Sequence, residues 1–340
     1  DPEQRPASAS EVLRALEDIE HQLQAVPTPG SGGFETRPSG EQGEAQSARP
    51  PTPEPRFAQP LVGREREVGF LRQRVDAALR GEGSLVFLTG EAGIGKTRMA
   101  LEARAYARGR GFLWLEGRYN QEGNTPYQAW VEAVRGFLRA APPGMLVKAL
   151  LPYATELARL VPEAAERLGH VPSPPSIGPE EERLRLFEAL AGFFAGISRE
   201  QPLGLLLDDL QWAPSIDGLH RLGREVATER LLVLGTYRDA ELAERPALDR
   251  AILAMNRERL FSTLPLKRLG EVEVSRMVSQ SLGEGASARL AQAVYEKTDG
   301  NPFFVEEVVR YLSESGAMTL GEKGWEVKDT TLVQLPRSVK

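Results

Sequence analysis

Gly90–Thr97 reads GEAGIGKT and meets the phosphate-binding pattern G-x-x-x-x-G-K-[ST] at every fixed position. It follows the apolar run Ser84 to Thr89, which predicts a strand entering the loop. Backbone N–H groups can wrap a phosphate chain only where side chains leave room, and Gly90, Gly93 and Gly95 provide that room. Glu91, Ala92, Ile94 and Arg98 complete the stretch expected to contact a nucleotide. Lys96 is spaced to reach the β and γ phosphates, and Thr97 to place its hydroxyl on Mg²⁺. The helix expected to begin there would point its positive end at the anion.

A second apolar run, Leu203 to Leu207, ends in Asp208 and Asp209. Such a run predicts a fully buried parallel strand, and its carboxyl end is where doubly wound sheets bind ligands. Asp208 is therefore expected to hold Mg²⁺ through water, and Asp209 to orient or deprotonate the attacking water. A third apolar strand, Leu231 to Gly235, is predicted to lie beside the other two and runs into Thr236, Tyr237, Arg238 and Asp239. Two readings of Arg238 stay open: a fork sensing the γ-phosphate, or a surface arginine paired with Asp239 or Glu241.

The chain has 340 residues, 41% of them hydrophobic, enough for one large core and a smaller one. It contains no cysteine, which excludes disulfides, thiol nucleophiles and thiolate metal sites. His21, His170 and His220 are far apart and form no H-E-x-x-H arrangement, which argues against a zinc enzyme. A net charge of -6 argues against a general nucleic-acid-binding surface. No apolar run reaches bilayer length and no signal peptide is evident, so a cytoplasmic protein without a membrane partner is expected.

The amino end opens on Asp1 rather than Met, and DPEQRP precedes Val12, Leu13, Leu16 and Ile19 at helical spacing. Ser8 or Ser10 is suited to cap that helix. From Val26 to Gln59, prolines alternate with Gly, Ser, Glu and Gln, the composition of a disordered linker. A helix carrying Val68, Leu71, Val75 and Leu79 on one face is predicted next, and one from Thr97 to about Arg108 after the loop. Phe112 to Glu116 reads as a strand, followed by a helical section to about Gly169 and, past a proline cluster, a helix over Glu180 to Ser198. This alternation predicts an α/β fold, a parallel sheet with helices on both faces. Beyond Leu266 a smaller helical lid is expected, with helices over Glu271–Leu282, Ala286–Thr298 and Phe303–Ser315 and a late hairpin marked by Gly321 and Gly324. Trp212, Phe303 and Phe304 are read as core.

The motifs together carry a resemblance. The segment around DPEQRP is similar to the last helix of a Ser/Thr protein kinase domain, although no catalytic element of a kinase is present. From Gln59 to Lys340 the chain resembles the nucleotide-binding module of the STAND class of AAA+ signalling ATPases, especially bacterial regulators that follow a kinase domain. Leu61–Glu67 (LVGRERE) fits that class's h-h-G-R-E-x-E motif, and Lys96, Thr97, Asp208, Asp209 and Arg238 fit its P-loop, acidic strand and arginine sensor. Asp209–Trp212 (DLQW) is similar to the same subgroup. Gly300–Pro302 (GNP) fits its G-x-P motif. The resemblance implies that adenine lies near Val62, Gly63 and Arg64 with Pro302 close by, that ATP or ADP with Mg²⁺ is the ligand, and that Asp209, Lys96 and Arg238 serve slow hydrolysis in a signal-transduction switch. It divides the chain into a kinase remnant (1–25), linker (26–59), P-loop core (60–265) and lid with the start of a winged-helix region (266–340). The partners implied are a kinase domain upstream and an effector region downstream in the full-length chain, with a nucleotide-dependent homo-oligomer as a further form and no direct nucleic acid. The alternatives are an ADP-bound scaffold that does not hydrolyse, and an AAA+ DNA-binding initiator.

Overall fold

The computed structural model describes residues 61–121, 127–169, 171, 177–242, 244–282, 287–314, 318–321 and 324–327. The kinase-like segment, the linker and the winged-helix start lie outside the described residues. Chain order runs α1 (Glu65–Leu79), β1 (Ser84–Thr89), α2 (Lys96–Gly109), β2 (Leu113–Arg118), α3 (Gln128–Ala140), α4 (Pro143–Leu150), α5 (Ala154–Leu160), α6 (Glu163–Leu168), α7 (Pro179–Glu200) and β3 (Leu203–Asp208). It continues through α8 (Asp217–Glu225), β4 (Leu231–Tyr237), α9 (Asp239–Leu242), α10 (Pro246–Arg257), β5 (Ser262–Pro265), α11 (Glu271–Leu282), α12 (Ala288–Thr298), α13 (Pro302–Glu314), β6 (Met318–Gly321) and β7 (Gly324–Val327).

The apolar runs make the sheet because they are buried on both faces, as parallel strands must be. β3 and β4 are buried at every residue. Strand order is β2-β3-β4-β1-β5, all parallel. Alternate residues feed opposite layers. Phe87, Leu205, Leu207 and Val233 meet α3, α7 and α8, whereas Val86, Leu88, Leu206, Leu232 and Leu234 meet α1 and α2 through Leu71, Val75, Met99 and Ala103. β4 lies between β1 and β3, so the loops after β1 and β3 are one strand apart at the carboxyl edge, the edge at which such sheets bind ligands.

β5 has no counterpart among the strands expected from sequence. Its four residues, STLP, alternate between half-buried and exposed, and its proline is tolerated because the strand is an edge. β2 also runs two residues past the expected Glu116, to Arg118, which brings that side chain against Asp208 at the end of β3.

The lid helices α11, α12 and α13 pack around Val274, Val278, Val294, Val305 and Val308, each fully buried. At about 1.5–3 kcal/mol per buried aliphatic side chain, this cluster holds the helices to one another. Val62 and Leu269 join it from the chain segments bordering the core. Gly300 has φ +73, and a Cβ there would come 2.0 Å from the Leu269 carbonyl oxygen, so the turn between α12 and α13 requires glycine. β6 and β7 pair antiparallel, with Gly321 opposite Gly324.

Candidate nucleotide-binding site

The loop after β1 turns on Gly90, Gly93 and Gly95, at φ of +137, +76 and +101. A Cβ on Gly93 would lie 2.8 Å from Cβ of Phe303, so this glycine is what lets the lid approach the loop. Lys96 opens α2 and is buried; its Nζ donates to the carbonyls of Gly90 and Glu91, both at 2.8 Å. Burial lowers its pKa most, and Arg238 adds to that, while Asp209, Asp208 and Asp239 pull the other way. The site thus gathers two cations close enough to repel, at a helix N-terminus, which is the electrostatic setting of an anion site.

The acidic end of β3 is held by its neighbours. Asp208 is buried; Oδ1 accepts from the hydroxyl of fully buried Thr236 at 2.5 Å, and Oδ2 from Thr97 Oγ1 at 3.3 Å. Oδ2 also accepts from Arg118 Nη2 and Nε. Thr236 Oγ1 in turn accepts from the Asp209 N–H at 2.9 Å. Asp209 adopts left-handed backbone geometry, φ 60 and ψ 47, a conformation Asp tolerates better than most residues. Its Oδ1 accepts from Nε2 of fully buried Gln211 at 2.8 Å. Thr97 and Asp208 supply hard oxygen donors side by side, which fits Mg²⁺.

A cavity of about 340 Å³ lies beside this end of the sheet. Of the residues predicted from sequence, Val62, Arg64, Ala92, Gly93, Ile94, Gly95, Lys96, Thr97, Arg98, Asp209, Arg238 and Pro302 line it. Gly63, Gly90, Glu91 and Asp208 do not. Gly63 packs under Glu273 and Leu269, and Gly90 against the Leu266 carbonyl. Arg64 combines two tasks: besides lining the cavity, its buried guanidinium donates to the Lys267 carbonyl at 2.6 Å and the Ile94 carbonyl at 3.4 Å. Arg238 likewise faces the cavity while its Nη1 donates to Glu241 at 2.7 Å, one of the two partners that the surface-pair reading named. Phe303 corrects the core reading: it is 43% exposed and lines the cavity, because the first turn of α13 faces the loop rather than the lid interior. Trp212 packs against the core with Arg245 over its ring, and Phe304 is half-buried beside Phe303.

The lid is tied to the loop through Glu91. Arg268 forks onto its carboxylate, with Nε at 2.8 Å and Nη2 at 2.6 Å, and Arg268 also pairs with Asp299. Asn301, buried, donates to Glu91 at 2.8 Å and to the Ala92 carbonyl at 3.0 Å, while the Phe303 N–H reaches the Gly93 carbonyl at 3.3 Å. The Arg268 hydrogen bond is the main cause holding the Glu91 carboxyl below the usual carboxylate range; Asn301, the Arg268 charge and Lys96 add to it, against desolvation. A depressed carboxylate contributes its stabilisation above the unfolded value, about 4.3, and loses it as pH falls through the lower folded value. Exposure of both partners limits the tie to about 1 kcal/mol, roughly five-fold in an opening equilibrium. Glu91→Gln should therefore raise hydrogen exchange of α13 at neutral pH, and the difference from wild type should vanish as pH falls below the lowered folded value and the wild-type carboxyl is itself protonated. A gap that persists there would remove Glu91 from the latch.

A parallel sheet with a glycine-rich loop, a lysine at a helix start and an acidic strand end beside it defines a P-loop nucleoside triphosphatase fold. A family model for the AAA ATPase domain matches residues 60–234, just over half of the chain, and the chain belongs to that family. Membership implies ATP and Mg²⁺ as ligands and nucleotide hydrolysis as the chemistry. A second model, a domain of unknown function, matches residues 270–322. An uncharacterized protein of Rhizobium meliloti (strain 1021) is 27% identical over 280 residues, covering 76% of this chain; the chain spans 26% of that protein's length. Among solved structures, Drosophila ORC bound to DNA aligns with TM-score 0.46 and 13% identity over 96% of this chain and 72% of that one. A DNA replication initiation factor aligns with TM-score 0.41 and 15% identity, over 75% and 63% of the two chains. The Aeropyrum pernix ORC1 protein in complex with DNA gives TM-score 0.36 and 17% identity over 82% and 67%. At these scores the likeness says nothing of what this chain binds. No described helix is long and apolar enough to cross a membrane.

Proposed function

We propose that this chain is the ATP-binding, slowly hydrolysing switch module of a multidomain signalling regulator of the STAND type, with core 60–265, lid 266–340, and a kinase-like segment (1–25) joined by a linker (26–59). The observation that carries the reading is a cavity whose wall is shared by the phosphate loop and the lid: Lys96, Thr97 and Asp209 on one side, Met277, Pro302 and Phe303 on the other. A ligand touching both parts biases the lid by its differential affinity for open and closed forms.

In this reading the loop amides and Lys96 hold the phosphates, and Val62, Arg64 and Pro302 border the base. Thr97 and Asp208 hold Mg²⁺, which when bound would neutralise phosphate charge. Asp209, fixed by Thr236 and Gln211, orients the attacking water and accepts its proton. Arg238 senses the γ-phosphate by leaving Glu241.

The Arg238–Glu241 pair also favours a second reading, an ADP-bound scaffold in which that pair never opens. Limited proteolysis separates the two. A non-hydrolysable ATP analogue and ADP, both saturating, should give different protection between Leu266 and Glu314, and Arg238→Ala should erase the difference while leaving ADP affinity nearly intact. Identical patterns in the wild type would favour the scaffold.

A further inference from the structure

Arg118 stands outside every role assigned so far, yet it touches the carboxylate on which the metal reading depends. β2 and β3 are parallel neighbours in a register that places Arg118 opposite Asp208. Its Nη2 and Nε lie 2.5 and 3.1 Å from Asp208 Oδ2, the same oxygen that accepts from the Thr97 hydroxyl at 3.3 Å. The other oxygen is committed to the buried Thr236 hydroxyl at 2.5 Å. The arginine therefore sits on the oxygen that faces Thr97, where Mg²⁺ held between Thr97 and Asp208 would also draw its charge balance. Its Nε is also 3.6 Å from Asp209 Oδ2, so one guanidinium spans two adjacent carboxylates that would otherwise repel.

The two partners differ in freedom. Asp208 is 6% exposed at its side chain and fixed from both oxygens, whereas Arg118 is 51% exposed. Its backbone N–H is anchored by Glu132 Oε2 at 2.8 Å, which fixes the strand end and leaves the guanidinium able to turn into solvent. A hard divalent cation prefers carboxylate and hydroxyl oxygens and brings twice the charge, so it can displace the arginine at sufficient concentration. We propose that Arg118 is the resident counter-ion of the magnesium position: it balances Asp208 and Asp209 in the absence of Mg²⁺, competes with Mg²⁺ for Asp208 Oδ2, and so sets the Mg²⁺ concentration at which nucleotide binds. It is a positioning residue, and the inference rests on the nucleotide-site reading above.

The test is a calorimetric titration of ATP into purified protein across a Mg²⁺ series, for wild type, Arg118→Met, Arg118→Gln and Arg118→Lys. Met retains bulk and Gln retains a donor, but both remove the charge, so each should lower the half-saturating Mg²⁺ concentration by about 5-fold, the upper end for an ion pair whose arginine is half exposed. Arg118→Lys keeps the cation and should stay near wild type. ATP binding by Arg118→Met and Arg118→Gln with unchanged or raised half-saturating Mg²⁺ would overturn the competition. Absence of ATP binding by the wild type at every Mg²⁺ concentration would instead overturn the nucleotide-site reading beneath it.

Discussion

Replacing Asp209 with asparagine is expected to lower the steady-state ATPase rate by about 10²- to 10⁴-fold, the range a general base supplies. ATP affinity should change little, because the proposed phosphate contacts lie with the loop and Lys96. The substitution is a clean one for reasons visible in the structure. Asn is among the few residues that tolerate left-handed geometry, so φ 60 at this position imposes little additional strain. The backbone N–H keeps its bond to Thr236, and an amide oxygen can still accept from Gln211. What is lost is the negative charge and the ability to take a proton. An unchanged turnover at saturating ATP would remove Asp209 from catalysis and move that role elsewhere on the cavity wall.

Much of this arrangement is legible in the chain before folding. GEAGIGKT after an apolar run locates the loop, and the continuous apolar runs of β1, β3 and β4 mark strands buried on both faces, because no alternation survives when both faces are covered. Helix α11 is bounded by sequence at Glu271 and Leu282, where the structure also begins and ends it. β5 escapes because an edge strand of four residues buries too little to leave a pattern.

The residues that escape at the site share a different cause: they act across the chain. Arg118 falls outside a strand expected to end two residues earlier, and only the register of β2 on β3 shows that it meets Asp208. Extending β2 to the carboxyl edge of the sheet, where ligands bind, would have supplied the signal. Glu91 is contacted by Arg268 across 177 positions and by Asn301 across 210, pairings that no local spacing encodes. Phe303 departs from its expected place because aromatic residues at helical spacing usually face a core, whereas the first turn of α13 is turned outward toward Gly93 by the Phe303 N–H and the Asn301 bonds to Glu91 and Ala92.

The cavity between loop and lid is, on this account, a nucleotide site centred on Lys96. In the structure Nζ spends its hydrogen bonds on two loop carbonyls, so a phosphate chain would draw it from neutral acceptors to charged ones. Charge-assisted bonds of that kind are worth about 1.5–3 kcal/mol, and Lys96→Ala should weaken Mg²⁺–ATP binding roughly 10- to 150-fold. Because the empty protein also loses two hydrogen bonds in the variant, the quantity to compare is the ligand-induced shift and not the absolute melting temperature. Scanning calorimetry of wild type and Lys96→Ala, each with and without Mg²⁺–ATP, measures it. At ATP near 100 times the wild-type Kd, bound nucleotide adds about 2.7 kcal/mol, which should raise the wild-type Tm by about 5–10 °C and leave Lys96→Ala with less than about half of that shift. Equal shifts in the two proteins, or no shift in the wild type, would contradict the account.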